Sequence, residues 1–266
     1  MIDIEGFRSY LYEEELAPNT IAAYVRGVIR FSEMFDEITK PNLIAFKQHL
    51  IENFKPQTVN NRITAVLRYC DFKEIPMKLK PVKMPKKTYV DNVISCQQFE
   101  TLIAGLKKDG NIHWYVNVML LAKTGMRISE AIRICKKDVM NRQVDIYTKA
   151  HMRTVYFPKS LLDDIADYLE TIQENETVMQ GENGKSITSK GVSEALQRFA
   201  RRYGIPKEVM HPHAFRHFFA IEFLKRNNNI ALLADLLGHS SVNMTQIYLR
   251  QSKEQQREMI DKAVDW

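Results

Sequence analysis

Three prolines in close succession, Pro76, Pro81 and Pro85, constrain this fold more than any other feature. Proline cannot continue a helix or a central strand, and it pushes the residue before it to an extended conformation. The lysines around them, Lys73, Lys78, Lys80, Lys83, Lys86 and Lys87, face only Glu74. A stretch of this kind repels itself and takes an extended, solvated path. The chain is therefore expected to fold in two parts: residues 1–75, a basic linker at 76–92, and residues 93–266. A length of 266 residues suits one large domain or two small ones and is ample to bury a core. The balance of 45% hydrophobic and 26% charged residues excludes a disordered chain, a collagen-like chain and a coiled-coil rod.

The net charge of +6 is shared evenly between the two parts, so neither is a basic tail; the excess is concentrated in the proline-lysine stretch. That stretch is either a solvated connection or a contact for a polyanion, whose neutralisation releases counterions. No apolar run approaches the roughly 20 residues needed to span a bilayer. The N-terminus has no basic segment followed by an apolar one, so no secretory signal is expected. Cys70, Cys96 and Cys135 lie far apart and form neither a disulfide framework nor a zinc spacing, which fits a reducing cytoplasm.

Before the linker the pattern is helical throughout. Phe7, Tyr10 and Leu11 mark a short amphipathic helix, and Pro18 opens a second that carries Ile21, Tyr24, Val25, Val28, Ile29, Phe31 and Phe35. Thr39 is placed to cap a third helix with Pro41 in its first turn, and Pro56 opens a fourth with Val59, Ile63, Val66, Leu67 and Tyr69. Four helices on short connections predict a bundle. The polar face of the fourth carries Gln57, Thr58, Asn60, Asn61, Arg62 and Arg68. Such residues reach phosphates and base edges, and they are equally common on any surface.

The second part is mixed. Ser95 and Gln98 have the spacing of a capping box, and an apolar helix over 114–123 is stopped by Thr124-Gly125, where glycine supplies a left-handed cap. Residues 143–147 and 153–157 alternate as two strands of a hairpin with Lys149 at its tip. Helices follow over 160–172 and beyond Thr188. The expected fold class is mainly α with a small β-hairpin.

Three blocks carry chemistry: Thr124-Gly125-Met126-Arg127-Ile128-Ser129-Glu130, His213-Ala214-Phe215-Arg216-His217, and Leu236-Leu237-Gly238-His239-Ser240-Ser241 followed by Tyr248. In that order they resemble the tyrosine recombinase (phage integrase) family, to which the Xer recombinases belong, over nearly the whole chain. The stretch from Ala17 to Tyr24 resembles that family's N-terminal core-binding domain. The resemblance implies a SAM-like four-helix bundle joined to a mixed α+β catalytic domain. It also implies a metal-independent enzyme without a cofactor that cuts and rejoins DNA through a 3′-phosphotyrosyl link. Covalent capture divides one difficult step into two and conserves the bond for rejoining.

By this resemblance Tyr248 is the nucleophile. Arg127 and Arg216 clamp the phosphate, because guanidinium forks match its oxygens bidentately and remain charged. His213 assists proton transfer and His239 donates to a phosphate oxygen. Lys149 protonates the departing 5′-oxygen, which a flexible ammonium can do and a guanidinium cannot. The family's usual glycine-flanked setting for that lysine here reads Thr148-Lys149-Ala150. Glu130 and His217 are expected to support these groups. His211, His213 and His217 lack a Glu or Cys at zinc-binding spacing, so no metal is expected. Phe218 stands where a threonine is frequent, and Asn227-Asn228-Asn229 replaces a glycine turn, Asn being tolerant of the left-handed conformation.

Duplex DNA is the expected partner, with the bundle on one face and the catalytic domain on the other. Asn19, Tyr24, Arg26, Thr58, Asn61 and Arg62 are candidate groove contacts. Lys83, Lys86, Lys87, Lys190, Arg198, Arg201 and Arg202 are candidate backbone contacts. The resemblance implies a homotetramer on two sites, free protomers in solution, a C-terminal tail over 254–266 that docks on a neighbour, and action in the cytoplasm without a membrane. A non-cleaving DNA-binding regulator on the same fold and a type IB topoisomerase-like relaxing enzyme are the alternatives.

Overall fold

In the computed structural model, residues 2–84, 92–147, 152–181, 183–239, 241–249, 260, 261, 263 and 264 are described. Lys86, Lys87, Lys149 and most of the C-terminal tail lie outside them. The chain divides into two compact units, Met1–Lys86 and Lys87–Trp266.

The first unit is α1 (Ile4–Glu13), α2 (Pro18–Ser32), α3 (Lys40–Asn53) and α4 (Pro56–Phe72). Helices α2, α3 and α4 each carry proline in the first turn, where a missing N–H costs nothing. Thr39 caps α3 by accepting from Asn42 N at 3.3 Å. Helices α2 and α4 approach closely at Gly27, where a Cβ would stand 2.5 Å from that of Ala65. Phe31, Leu43, Phe46, Leu50, Val59, Ile63 and Val66 form one apolar cluster; Phe7, Leu11, Ile21, Val25, Val28 and Tyr69 form the other.

Part of the stretch expected to be a free linker is held against this bundle. Met77, Leu79 and Val82 pack on the first cluster. Asn60 brackets Val82, donating to its carbonyl at 3.0 Å and accepting from its N–H at 2.8 Å. Lys47 donates to Lys80 O at 2.7 Å, and Lys40 donates to Lys78 O. The alternation of Met77, Leu79 and Val82 with lysines gives the segment an apolar edge for α4 and a cationic edge for solvent.

The second unit is built around α6 (Ile112–Thr124), whose residues from Trp114 to Ala122 are all buried. A helix apolar on every side belongs in the centre of a core. The unit also holds α5 (Cys96–Lys108), α7 (Ile128–Ala131), α8 (Lys136–Met140), α9 (Lys159–Glu170), α10 (Ser189–Tyr203), α11 (Pro212–Arg226), α12 (Ile230–Leu237) and α13 (Val242–Thr245), the last continued by a 3-10 turn, Gln246–Leu249. Helices α5, α7, α9 and α11 pack on α6, while α12 and α13 pack beyond α11. The Ser95–Gln98 capping box and the left-handed Gly125 cap (φ 63°) are both present. Strands β1 (Gln143–Tyr147) and β2 (Met152–Tyr156) pair antiparallel from Gln143↔Tyr156 to Tyr147↔Met152.

The triple asparagine does not use the left-handed region. Asn227 and Asn229 are extended, and the Asn229 side chain caps α12 by accepting from Leu232 N at 2.9 Å. A side chain able to cap a helix start removes the need for a glycine here.

Candidate active site

Three turns in the backbone bring the site together. Helix α6 ends at Gly125, where a Cβ would stand 2.4 Å from the Phe219 ring, so only glycine fits both the conformation and the space. The chain then turns to place Arg127 at the start of α7. Helix α11 begins at His211, whose Nδ1 accepts from Ala214 N at 3.2 Å, with Pro212 in its first turn. That start puts His213, Arg216 and His217 on successive turns of α11, one face of which packs on α6. Helix α12 ends at left-handed Gly238 (φ 61°), and the N–H of His239 folds back to Ala234 O at 3.0 Å. His239 thus leaves from a helix end.

The last carbonyls of α12 organise the arginines. Arg153 donates to Leu236 O; Arg216 Nη2 donates to Leu237 O at 2.5 Å; Arg127 Nη2 donates to Gly238 O at 3.3 Å. Three guanidinium groups are racked on three consecutive carbonyls. A helix C-terminus exposes unpaired carbonyls and the negative end of its dipole, so cations are its natural partners. Arg216 also donates to Gly125 O at 2.8 Å, joining the ends of α6 and α12. It is 2% exposed, and burial beside Arg127 and Arg153 pushes its pKa down to about 10. Glu130 is the carboxylate in ion-pair contact with this group: Oε2 lies 2.5 Å from Arg153 Nη2 and Oε1 3.2 Å from Arg127 Nη1. Glu130 Oε2 also accepts from Arg127 N at 2.7 Å. Three guanidiniums share one carboxylate, which leaves positive charge for an anion.

The imidazoles stand beside this charge and are held neutral. Burial and neighbouring cations push His217 down to about 3 and His239 down to about 4, and burial also lowers His213. The rings of His213 and His217 lie 4.3 Å apart between centroids. His217 Nδ1 and the Tyr248 hydroxyl are 2.8 Å apart, and His239 Nδ1 meets Thr245 Oγ1 at 2.8 Å. Tyr248 stands on the 3-10 turn after α13, 7% exposed, packed on Ala220, Leu224, Leu233 and Leu237. Burial raises its pKa, opposed by Arg216. A groove of about 430 Å³ runs past Arg153, Gly238 and His239.

Of the residues singled out from the sequence, Arg127, Glu130, His213, Arg216, His217, His239 and Tyr248 are gathered in this one region; Lys149 falls outside the described residues. Arg153 was missed. The expected strand put it in phase with Val155 and Phe157, and a charge on an inward-facing register was the signal. The candidate DNA contacts are more varied. Asn19, Arg26 and Asn61 are exposed, Tyr24 packs partly into the bundle, and Thr58 is half-buried. Arg62 lies 3.9 Å over the Phe54 ring with Nη1 buried. In the second unit Lys190 pairs with Glu194 at 3.5 Å, Arg202 with Asp109 at 2.7 Å, and Arg198 lies 5.4 Å over the Phe199 ring. Lys83 and Arg201 are exposed. Among the described residues no group of His, Cys, Asp and Glu could hold a metal ion, and no helix is long and apolar enough to cross a membrane.

Comparison with known proteins gives a consistent picture. Tyrosine recombinase XerA of Thermococcus kodakarensis is 29% identical over 276 aligned positions, covering 98% of this chain and 94% of that protein. Tyrosine recombinase XerC of Rickettsia canadensis is 29% identical over 217 positions, covering 75% of this chain and 71% of its own. A crystal structure of a lambda integrase dimer bound to a COC′ core site shares the fold, with a TM-score of 0.73 at 15% identity over 99% of this chain and 77% of that one. Residues 4–74 match the phage integrase N-terminal SAM-like domain. With residues 92–255 matching the phage integrase family, and the arginine rack, imidazoles and tyrosine assembled within that span, the chain belongs to the phage integrase family.

Proposed function

We propose that this protein is a tyrosine-type, site-specific DNA recombinase that cleaves and rejoins strands through Tyr248. The observation that carries the reading is the contact of the Tyr248 hydroxyl with His217 beside an arginine cluster whose positive charge exceeds its one paired carboxylate. The scissile phosphodiester takes the place of the missing anion. Arg127 and Arg216 bind its non-bridging oxygens and hold the extra charge that develops when phosphorus becomes five-coordinate. His239 donates a further hydrogen bond to the same oxygens.

Tyr248 Oη attacks phosphorus, the bond to the 5′-oxygen breaks, and a 3′-phosphotyrosyl link forms. The phenol proton leaves along the line of His217 and His213. In the unliganded protein burial holds both rings neutral, so the proton rests on tyrosine. An arriving phosphate raises the basicity of both imidazoles and couples proton transfer to substrate. Lys149 protonates the 5′-oxygen as it departs; attack by a 5′-hydroxyl of another strand reverses the sequence.

The bundle contacts DNA through Asn19, Arg26 and Asn61, and the working assembly is a tetramer on two sites in the cytoplasm. A duplex carrying a nick near the cleavage site tests the reading. A covalent protein–DNA product that disappears in Tyr248→Phe is the expected result. Duplex binding with no covalent product at any site would support a non-cleaving binder, and relaxation of supercoils without a partner site would support a topoisomerase-like enzyme.

A further inference from the structure

Arg153 belongs to none of the three sequence blocks, yet it is the most enclosed member of the ion-pair network. Its side chain is 5% exposed and that of Glu130 9%, against 42% for Arg127. It comes from β2, on the inward face with Val155. Its aliphatic stem fills the space that the missing side chain of Gly238 leaves, with a Cβ there standing 2.3 Å from Arg153 Cδ. Its Nη1 holds Leu236 O and its Nη2 holds Glu130, while its Nε is buried with no partner.

A buried carboxylate needs a cation, and Glu130 has two to choose from. It holds Arg153 more tightly, at 2.5 Å, than Arg127, at 3.2 Å. Without Arg153, Glu130 would retain Arg127 as its one ion-pair partner, and an enclosed carboxylate would draw the guanidinium fork onto both its oxygens. The same fork could not then meet a phosphate. We infer that Arg153 is a positioning residue: it satisfies Glu130 from the β2 side, so that Arg127 meets the carboxylate through one nitrogen only and keeps a half-exposed guanidinium to offer the anion. This rests on the function proposed above and adds to it a residue that acts through Arg127.

The test uses the full chain on the nicked duplex, with single-turnover cleavage, duplex affinity and thermal melting read together. Arg153→Met is expected to slow cleavage about 100-fold with duplex affinity nearly unchanged. Adding Glu130→Gln removes the charge that captures Arg127, and the double variant is expected to cleave at least about tenfold faster than Arg153→Met alone. A purely structural role would make the double variant no faster, and that result overturns the inference. Arg153→Lys keeps a cation opposite Glu130 and covers the case in which the methionine variant does not fold. Its expected loss is about tenfold or less, and a loss as large as that of Arg127→Ala overturns the inference. Failure of the underlying reading looks different: wild-type protein would give no covalent product, and Arg127→Ala would change nothing.

Discussion

Helices α10 and α12 end in the same way and do different things. Both stop on a left-handed glycine, Gly204 at φ 67° and Gly238 at φ 61°. A Cβ added at Gly204 would meet nothing within 4 Å, whereas one added at Gly238 would stand 2.3 Å from Arg153. Gly204 satisfies a helix end and nothing more, its N–H bonding to Ala200 O. Gly238 performs the same backbone task, accepts Arg127 on its carbonyl and leaves room for the stem of a second arginine. The backbone device is identical; its role is decided by what occupies the volume a side chain would have taken.

Four measurements test this contrast. The largest effect is expected for Arg216→Met, which removes the guanidinium that joins the two helix ends at Gly125 and Leu237. Single-turnover cleavage should fall by about 10²–10³. Melting of the DNA-free protein should fall less than for Gly238→Ala, because a buried cation among other cations is itself costly there. Gly238→Ala comes next. The left-handed conformation costs a residue with a Cβ about 1–2 kcal/mol, and the displaced Arg153 stem should lower cleavage by about 10–100-fold.

Third is acidification. His217 and His239 have folded pKa values pushed down to about 3 and about 4, below the ordinary value near 6.5 of an unfolded chain. Between those limits the unfolded state binds more protons. Their contribution is therefore complete above pH 6.5 and is lost as pH falls toward about 4 for His239 and toward about 3 for His217. Melting temperature should drop over that window, and His217→Gln should flatten the drop. The smallest effect is expected for Gly204→Ala, about 1 kcal/mol of stability and no change in cleavage rate. Equal losses of cleavage at Gly204 and Gly238 would erase the contrast between the two helix ends.

The features legible in the sequence are those encoded over a few residues. Proline at the starts of α2, α3 and α4, the Ser95–Gln98 box, the Gly125 stop and the β1–β2 hairpin each depend on neighbours in the chain, and each is present where the pattern put it. Helices α7 and α8, of four and five residues, are too short to display a period. The site was legible as a set of residue types but not as an arrangement. Nothing local says that three arginines distant in the chain meet the last carbonyls of α12, or that His217 rather than His213 touches the Tyr248 hydroxyl. The contacts of Met77, Leu79 and Val82 with the bundle were hidden by the lysines between them.

The carbonyl rack at 236–238 and Tyr248, the proposed nucleophile, are built on neighbouring stretches of chain. The groups that would grip phosphorus are fastened to main chain that stops at residue 238, whereas Tyr248 rides on a separate short spiral beginning at Val242. The two are nevertheless tied: Tyr248 packs on Leu233 and Leu237 of α12, and His239 meets Thr245 of α13. Any movement of the phenol toward a bound strand would therefore have to break its contact with His217 and its packing on α11 and α12, while the three arginines could stay on their carbonyls.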